Sequence, residues 1–252
     1  MDRTRGWVGK SPLLIVTAAL TWPALASAQD GGDGFLFKAP RFTVGLKVGY
    51  AQLTANSDLF DFSTEQLTLD RSDFGAPVIG AEVAIRSTDR IDATAYFGYA
   101  GGSKQSEFRD WVDTDDLPIE QVSEFSRTTL AGGAKFYLTP RDRTIGQFAW
   151  VPSTWAPYVG IGGGWMWYSF QQQGDFVDFE TLDIFTETFK TSGTTFTGQV
   201  SAGLDFTISP RIVLNTEGRY SWGRADASGD FIGFEPVDLS GFQLTFGIGA
   251  RL

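Results

Sequence analysis

The chain contains neither cysteine nor histidine, and these two absences exclude much familiar chemistry. Without cysteine there is no disulfide framework, no cysteine-linked lipid and no thiol nucleophile. Without histidine the usual general base and the Ser-His-acid arrangement are missing. Carboxylate-only catalysis remains formally open, but the pairs Asp115–Asp116 and Asp175–Asp178 lie in acidic connecting segments, where solvated charge is the ordinary interpretation. We therefore expect a protein that is not an enzyme and has no cofactor.

Long apolar runs are also scarce, and the clearest one lies near the N-terminus. Residues 13–20 are apolar, basic residues precede them, and Ala26-Ser-Ala28 follows as a small-residue cleavage site. This order predicts a secretory signal peptide over 1–28, since the run is short of the ~20 residues of a membrane helix. Residues 29–40 are predicted to form a flexible leader, with a calcium loop as the less favoured alternative.

What the chain does have is a regular alternation of apolar and polar side chains. Its last twelve residues place large apolar side chains on one parity and glycine, polar or basic residues on the other, which indicates a strand with one apolar face. We predict eight strands of this kind. Their approximate ranges are 41–53, 77–87, 91–102, 125–138, 156–170, 195–207, 211–223 and 239–252.

Charge separates cleanly in these strands. The apolar parity carries none, and every charged side chain lies on the other parity. A basic side chain facing lipid at the midplane costs ~2–4 kcal/mol, so the charge-free face is predicted to contact lipid. The charged face then lines the barrel interior as an ionic network. Its predicted members are Lys47, Glu82, Arg86, Asp92, Arg127, Lys135, Asp205, Glu217, Arg219 and Arg251.

A soluble barrel of the lipocalin type also alternates, but with an apolar interior and a polar exterior. Here large aromatic residues gather on the apolar parity towards the strand ends, as in the aromatic girdles of membrane barrels. The sequence therefore favours the membrane-spanning alternative. These aromatic residues are Phe42, Tyr50, Tyr99, Phe136, Trp165, Trp167, Phe206, Tyr220 and Trp222.

The connections alternate in length. Turns at 88–90 and 208–210 are short, whereas the segments on the other side are long. The exception is 139–155, a long turn on the short side whose Trp150 is expected at the membrane interface. Together these features predict an all-β fold: an eight-stranded antiparallel up-and-down transmembrane β-barrel with short periplasmic turns and four long extracellular loops, over 41–252. The long segments are 55–76, 103–124, 171–194 and 224–238.

Turn lengths also predict which residues face each other. Paired residues keep the same parity only if each short turn has an odd number of residues. The resulting predicted pairs are Arg86 with Asp92, Glu82 with Tyr96, Ser201 with Glu217, and Gln199 with Arg219.

With its strand pattern, loop asymmetry, C-terminal strand and the stretch Asn215-Thr-Glu-Gly-Arg-Tyr220, the chain resembles the eight-stranded outer-membrane β-barrel superfamily. That superfamily includes the OmpA transmembrane domain and the OmpW-like and opacity-type proteins. The resemblance implies a bacterial outer membrane location and a C-terminal assembly signal read by the barrel-insertion machinery. Leu252 departs from the terminal aromatic residue usual in the family. The predicted signal residues are Phe242, Leu244, Phe246, Ile248 and Leu252.

Function is predicted less sharply. A filled interior favours a structural or surface-interaction role, and the alternative is a narrow or gated channel for small or hydrophobic solutes, as OmpW-like relatives suggest. Expected partners are outer-membrane lipid and lipopolysaccharide, with no nucleic acid, and the protein is expected to be a monomer.

The four long segments are strongly acidic, with 21 acidic against five basic residues. Soluble surface charge is the ordinary interpretation, and divalent-cation binding is the alternative, with Asp113, Asp115 and Asp116 as candidate ligands. Aromatic residues in the same segments are expected to pack on one another, with a surface for a hydrophobic ligand or partner protein as the alternative.

Overall fold

Eight strands dominate the computed structural model, which describes residues 34–113, 115–146, 149–178 and 180–252. The predicted signal peptide lies outside these residues. None of the described helices is long and apolar enough to span a membrane. The barrel strands are β1 (Phe42–Leu53), β2 (Ala76–Arg86), β3 (Ile91–Val112), β4 (Pro118–Tyr137), β5 (Trp155–Val177), β6 (Ile184–Ser209), β7 (Ile212–Trp222) and β8 (Gly241–Arg251).

Each strand pairs antiparallel with its neighbours in sequence, and β1 pairs with β8 to close the barrel. Side chains segregate as the alternation predicts. Leu46 is 56% exposed and Ile161 is 71% exposed on the outer surface, while Lys47 is 4% exposed inside. The barrel is therefore apolar outside and ionic within, which is the arrangement that hydrocarbon requires. Fold class and facing are confirmed.

Two hairpins are much taller than predicted. Strands β3 and β4 continue into the expected loop 103–124, and β5 and β6 continue into the expected loop 171–194. The prediction of four long loops is wrong here, because two of them are mostly strand. The physical reason is that these parts extend beyond the lipid-facing part of the barrel, whose outer surface carries no charge. Polar residues occupy both faces of the strands there, so the sequence no longer alternates between apolar and polar positions.

The short turns test the predicted register. The pairs Arg86–Asp92 and Glu82–Tyr96 are confirmed. The two pairs across β6 and β7 are wrong, because the observed turn is Pro210-Arg211 and the ladder shifts between Thr207 and Ser209. The relocated turn alone would shift the register by three positions, and the extra residue at Ile208 takes back one, so the net shift is two and parity is preserved. The observed pairs are Gln199 with Ser221, Ser201 with Arg219, and Gly203 with Glu217.

The two ends of the barrel are closed differently. At the long-loop end lie helix α1 (Asp58–Gln66), two 3-10 helices (Arg71–Phe74 and Gly229–Phe231) and a small ladder. At the short-connection end, Asp142–Ile145 and Ala149–Pro152 pair as a small antiparallel ladder, here named the end hairpin (142–152). Leu36, in the predicted leader, forms a bridge with Trp150 of this hairpin, with backbone N–O distances of 2.9 and 2.7 Å.

Candidate functional site in the barrel lumen

Five charged side chains meet in the middle of the lumen and form what we call the central cluster: Lys47, Glu82, Lys135, Glu217 and Arg219. Lys47 Nζ lies 2.8 Å from Glu82 Oε2 and 3.1 Å from Glu217 Oε1, and Arg219 Nη2 lies 2.6 Å from Glu217 Oε1. Lys135 also pairs with Glu82. Because these residues come from β1, β2, β4 and β7, the cluster crosses the lumen from wall to wall.

The central cluster contains three cations and two anions, and buried charge is costly unless it is fully partnered. Two tyrosine rings face the excess cations. The Arg219 guanidinium carbon lies 3.7 Å from the centroid of Tyr96, and Lys135 Nζ lies 4.5 Å from that of Tyr158. Such contacts between a cation and an aromatic face are favourable when desolvated. The phenol rings therefore help to accommodate the surplus positive charge.

A second polar layer lies beside the cluster and involves Asp205. This carboxylate accepts hydrogen bonds from Tyr137 Oη at 2.8 Å and from Asn215 Nδ2 at 2.7 Å. The same Asn215 amide donates to Tyr158 Oη, which in turn donates to Glu217 at 2.7 Å. Asp205 is thus linked to the central cluster through neutral side chains.

The end hairpin and the residue just before it supply partners for two further lumen charges. Arg141 Nη1 lies 2.6 Å from Asp92 Oδ2, and Asp142 Oδ2 lies 2.5 Å from Arg86 Nη1. Arg86 and Asp92 face each other in the ladder, but each is paired with this segment. Trp150 is buried and not at the membrane interface, so that prediction is wrong. The hairpin folds inward because these ion pairs and the Leu36 bridge hold it there.

Of the ten residues of the predicted ionic network, five meet in the central cluster, and the other five lie outside it in separate contacts. Arg251 lies near Trp150, with its guanidinium carbon 5.8 Å from the ring, and Arg251 Nη2 donates to Thr207. Arg127 is buried and donates to the carbonyl of Leu239 at 2.8 Å. Among the described residues neither arginine forms a salt bridge with a carboxylate. Their parity predicted that they face inward, but parity could not predict their partners.

At the long-loop end the lumen becomes apolar, a change the sequence interpretation missed. Phe60 of α1 lies against Phe74, Phe125 and Phe170, with ring centroids 4.7, 6.0 and 6.4 Å apart. We call this set and the buried residues around it the apolar cap, which confirms that the loop aromatics pack on one another. The lumen parity of β4 and β5 already carried the signal. The other buried members are Leu53, Ala55, Leu59, Leu67, Leu69, Phe108, Ile119, Met166, Tyr168, Val177, Ala225, Phe231, Val237 and Leu239.

Outside the cap, Lys104 of β3 binds the loop that follows α1. Its Nζ lies 2.8 Å from Asp73 Oδ1. The pKa of the Asp73 carboxyl is lowered because Lys104 and the Asp70 backbone N–H both donate to it, and the pKa of Lys104 is raised by the same pair. The loop is thus fastened to the tall hairpin of β3 and β4 at neutral pH.

The candidate cation ligands are not assembled into a site. Asp113 Oδ1 accepts the backbone N–H groups of Asp115 and Leu117, both at 2.8 Å, as part of the turn between β3 and β4. Within the described residues no group of three or more acidic side chains is arranged to hold a metal. Divalent-cation binding at Asp113, Asp115 and Asp116 stays a prediction without a geometric basis.

No protein family and no curated protein matches the sequence. The solved outer membrane protein OprG from Pseudomonas aeruginosa is 15% identical, covering 85% of this chain and 97% of its own, with a TM-score of 0.47. Neisserial surface protein A is 12% identical, with coverages of 84% and 97% and a TM-score of 0.43. The Escherichia coli outer membrane protein W is 18% identical, with coverages of 85% and 99% and a TM-score of 0.35.

The likeness to these three barrels is one of architecture.

Proposed function

We propose that this protein is a bacterial outer-membrane β-barrel with a sealed lumen, serving a structural or surface-interaction role and not a catalytic one. The observation that carries the proposal is that two seals lie in series inside the barrel. The central cluster crosses the lumen at mid-height, and the apolar cap closes the long-loop end. An eight-stranded barrel has room for little more than its own side chains.

The outer surface supports the location. Leu46, Phe97 and Phe196 are among the large apolar side chains exposed on the barrel wall, and Trp155 and Trp222 lie near opposite strand ends. An exposed apolar wall of this extent is stable in lipid and a liability in water. With the predicted signal peptide, it favours insertion in the outer membrane with the tall hairpins outside the cell.

The outward face of the tall hairpins supports a surface role. Beyond the apolar belt it carries amide, hydroxyl and charged side chains, including Gln105, Glu120, Gln173 and Lys190, of which Gln105 donates to Glu120 at 3.0 Å. Such groups suit contact with the sugars and phosphates of lipopolysaccharide. Because the segments are acidic, contact with its anionic groups would run through Lys190 or through divalent cations.

The second candidate is a gated passage, favoured by one observation. A cavity on the short-connection side reaches Lys47 and Glu82, so the lumen is not completely filled on that side of the central cluster. Passage would then require both the central cluster and the apolar cap to rearrange.

Planar-bilayer conductance tests the two candidates. We expect no steady current from the wild type. We also expect none from the charge-neutral double variant Lys47→Ser/Glu82→Ser, which weakens only the central cluster, or from Phe60→Ser, which weakens only the apolar cap. Combining all three substitutions opens both seals and is expected to conduct, which also controls for insertion. Steady current through the wild type would contradict the sealed lumen and support the passage.

A further inference from the structure

Unpartnered polar atoms concentrate in one cavity. Between the central cluster and the end hairpin lies a space of about 60 Å³, which holds about four water molecules. Of the eight buried side-chain atoms without a hydrogen-bond partner among the described residues, five belong to residues that line it. Buried polar groups are normally satisfied by protein, water or a ligand, so a set left open in one place marks a polar binding space. These atoms are Asp92 Oδ1, Arg141 Nε, Trp150 Nε1, Asn215 Oδ1 and Arg251 Nη1.

The chemistry of these atoms selects the ligand. Three of them are donors, on Arg141, Trp150 and Arg251, and two are acceptors, on Asp92 and Asn215. Asp92 and Trp150 are 3% and 4% exposed, so both are shielded from bulk water. A molecule that matches the set must accept several hydrogen bonds and also donate.

Charge favours an anion. The cavity is lined by six basic side chains and three acidic ones, and the acidic groups already have donors. Lys47 and Lys135 bind Glu82, Tyr137 and Asn215 bind Asp205, and Arg141 binds Asp92. Arg251 forms no salt bridge with any described carboxylate. Arg41 also lines the cavity without a salt bridge, but it is exposed to solvent, so the more buried Arg251 guanidinium is the cation best placed to receive a negative ligand.

We propose that this cavity binds a small oxyanion that carries a hydroxyl group, of which hydrogen phosphate is the type. Arg251, Arg141 and Trp150 donate to its oxygens, and its hydroxyl donates to Asp92 or Asn215. The end hairpin supplies Trp150 and the residue before it supplies Arg141, so this segment both lines the site and covers it. The site is independent of the sealed lumen proposed above, since it lies on the short-connection side of the central cluster.

The indole N–H of Trp150 provides a direct probe. The folded protein in detergent micelles, with 15N-labelled tryptophan, is titrated with sodium phosphate while sodium gluconate, a larger anion, holds the ionic strength constant. The Trp150 signal is assigned from Trp150→Phe. We expect it to move saturably with phosphate, while the signals of the lipid-facing Trp165 and Trp222 stay in place.

Two comparisons sharpen the test. Arg251→Gln is expected to weaken phosphate binding at least tenfold, whereas Arg143→Gln, which removes an exposed charge from the same hairpin, leaves it unchanged. Sulfate has the same shape without the hydroxyl and is expected to bind more weakly. The proposal is overturned if the wild-type Trp150 signal ignores phosphate, if gluconate moves it equally, or if sulfate binds as well as phosphate. The wild-type titration decides the matter even if Arg251→Gln does not fold.

Discussion

The side chain of Leu46 shows how a single position reports the solvent around the barrel. It lies near the middle of β1, opposite Ile248 and Ala81, and faces outward. Leu46→Arg is expected to lower the free energy of unfolding by about 2–4 kcal/mol, because the guanidinium would enter hydrocarbon. Equilibrium denaturation in lipid vesicles measures the change. Leu46→Ala, which removes apolar area without adding charge, is the matched control and is expected to cost less; equal losses would contradict the lipid-facing assignment.

Inside the lumen the requirement is reversed, because there the loss of a charge, at Glu217, is expected to destabilise the barrel. Glu217 is 1% exposed and contacts Lys47, Arg219 and Tyr158. Glu217→Gln leaves three cations with one carboxylate, so we expect a loss of about 3–5 kcal/mol in unfolding free energy.

Charge balance supplies the control for this substitution. Adding Lys47→Met to Glu217→Gln restores the original surplus of one positive charge, so the double variant is expected to recover much of the lost stability. If the two substitutions are simply additive in denaturation, the cluster is not a coupled unit.

Among the elements, the C-terminal strand β8 closes the barrel by pairing with both β1 and β7. Residues 246–251 of β8 pair with 43–48 of β1 on one side and with β7 on the other. Deleting Phe246–Leu252 removes half the closing seam and the predicted assembly signal, so we expect no closed barrel and no membrane insertion.

Heat-modifiable gel mobility and membrane fractionation measure this outcome. Ala250→Val is the control, because Ala250 lies outside the predicted signal residues and valine keeps the backbone hydrogen bonds of β8 with β1. A truncated chain that inserts and shifts normally on heating would refute the role of this strand.

The elements also show which predictions the sequence could support. Where one face meets lipid, charge is cleared from that face, and both strand position and facing could be predicted from alternation alone. Beyond the lipid-facing part of the strands, contact with lipid does not restrict residues such as Gln105 or Gln173. The alternation is therefore lost, and the tall hairpins were mistaken for loops. The bulge near Ile208 likewise has no period-two signature, and it shifted the predicted register of β6 and β7.

For the candidate site, the sequence supplied the charges but not their geometry. Inward parity identified all five members of the central cluster. It could not reveal that the neutral groups of Tyr96, Tyr158 and Asn215 connect them, because uncharged polar residues occur on either face of strands. The apolar cap depends on α1 meeting Phe125 and Phe170 from distant strands. The inward parity of these two residues placed their rings in the lumen, but no local pattern could predict that Phe60 covers them.

For the whole molecule, the order of the interior has a simple reason. Ionic groups in the middle are partnered by one another, the long-loop end is filled by carbon, and the opposite end keeps a polar cavity. Of the eight buried side-chain atoms without a hydrogen-bond partner among the described residues, five line that cavity, and the other three belong to Ser106, Gln121 and Ser123 in the tall hairpin of β3 and β4. The cavity is where a ligand is expected, which fits the tendency of unsatisfied groups to mark function.

The seam between β1 and β8 joins the first strand of the barrel to its last. Lys47, near the beginning, therefore cannot meet Glu217 in a closed cylinder until almost the entire polypeptide has been delivered. The closing contacts are thus among the most non-local of the fold, and contacts of this kind slow folding.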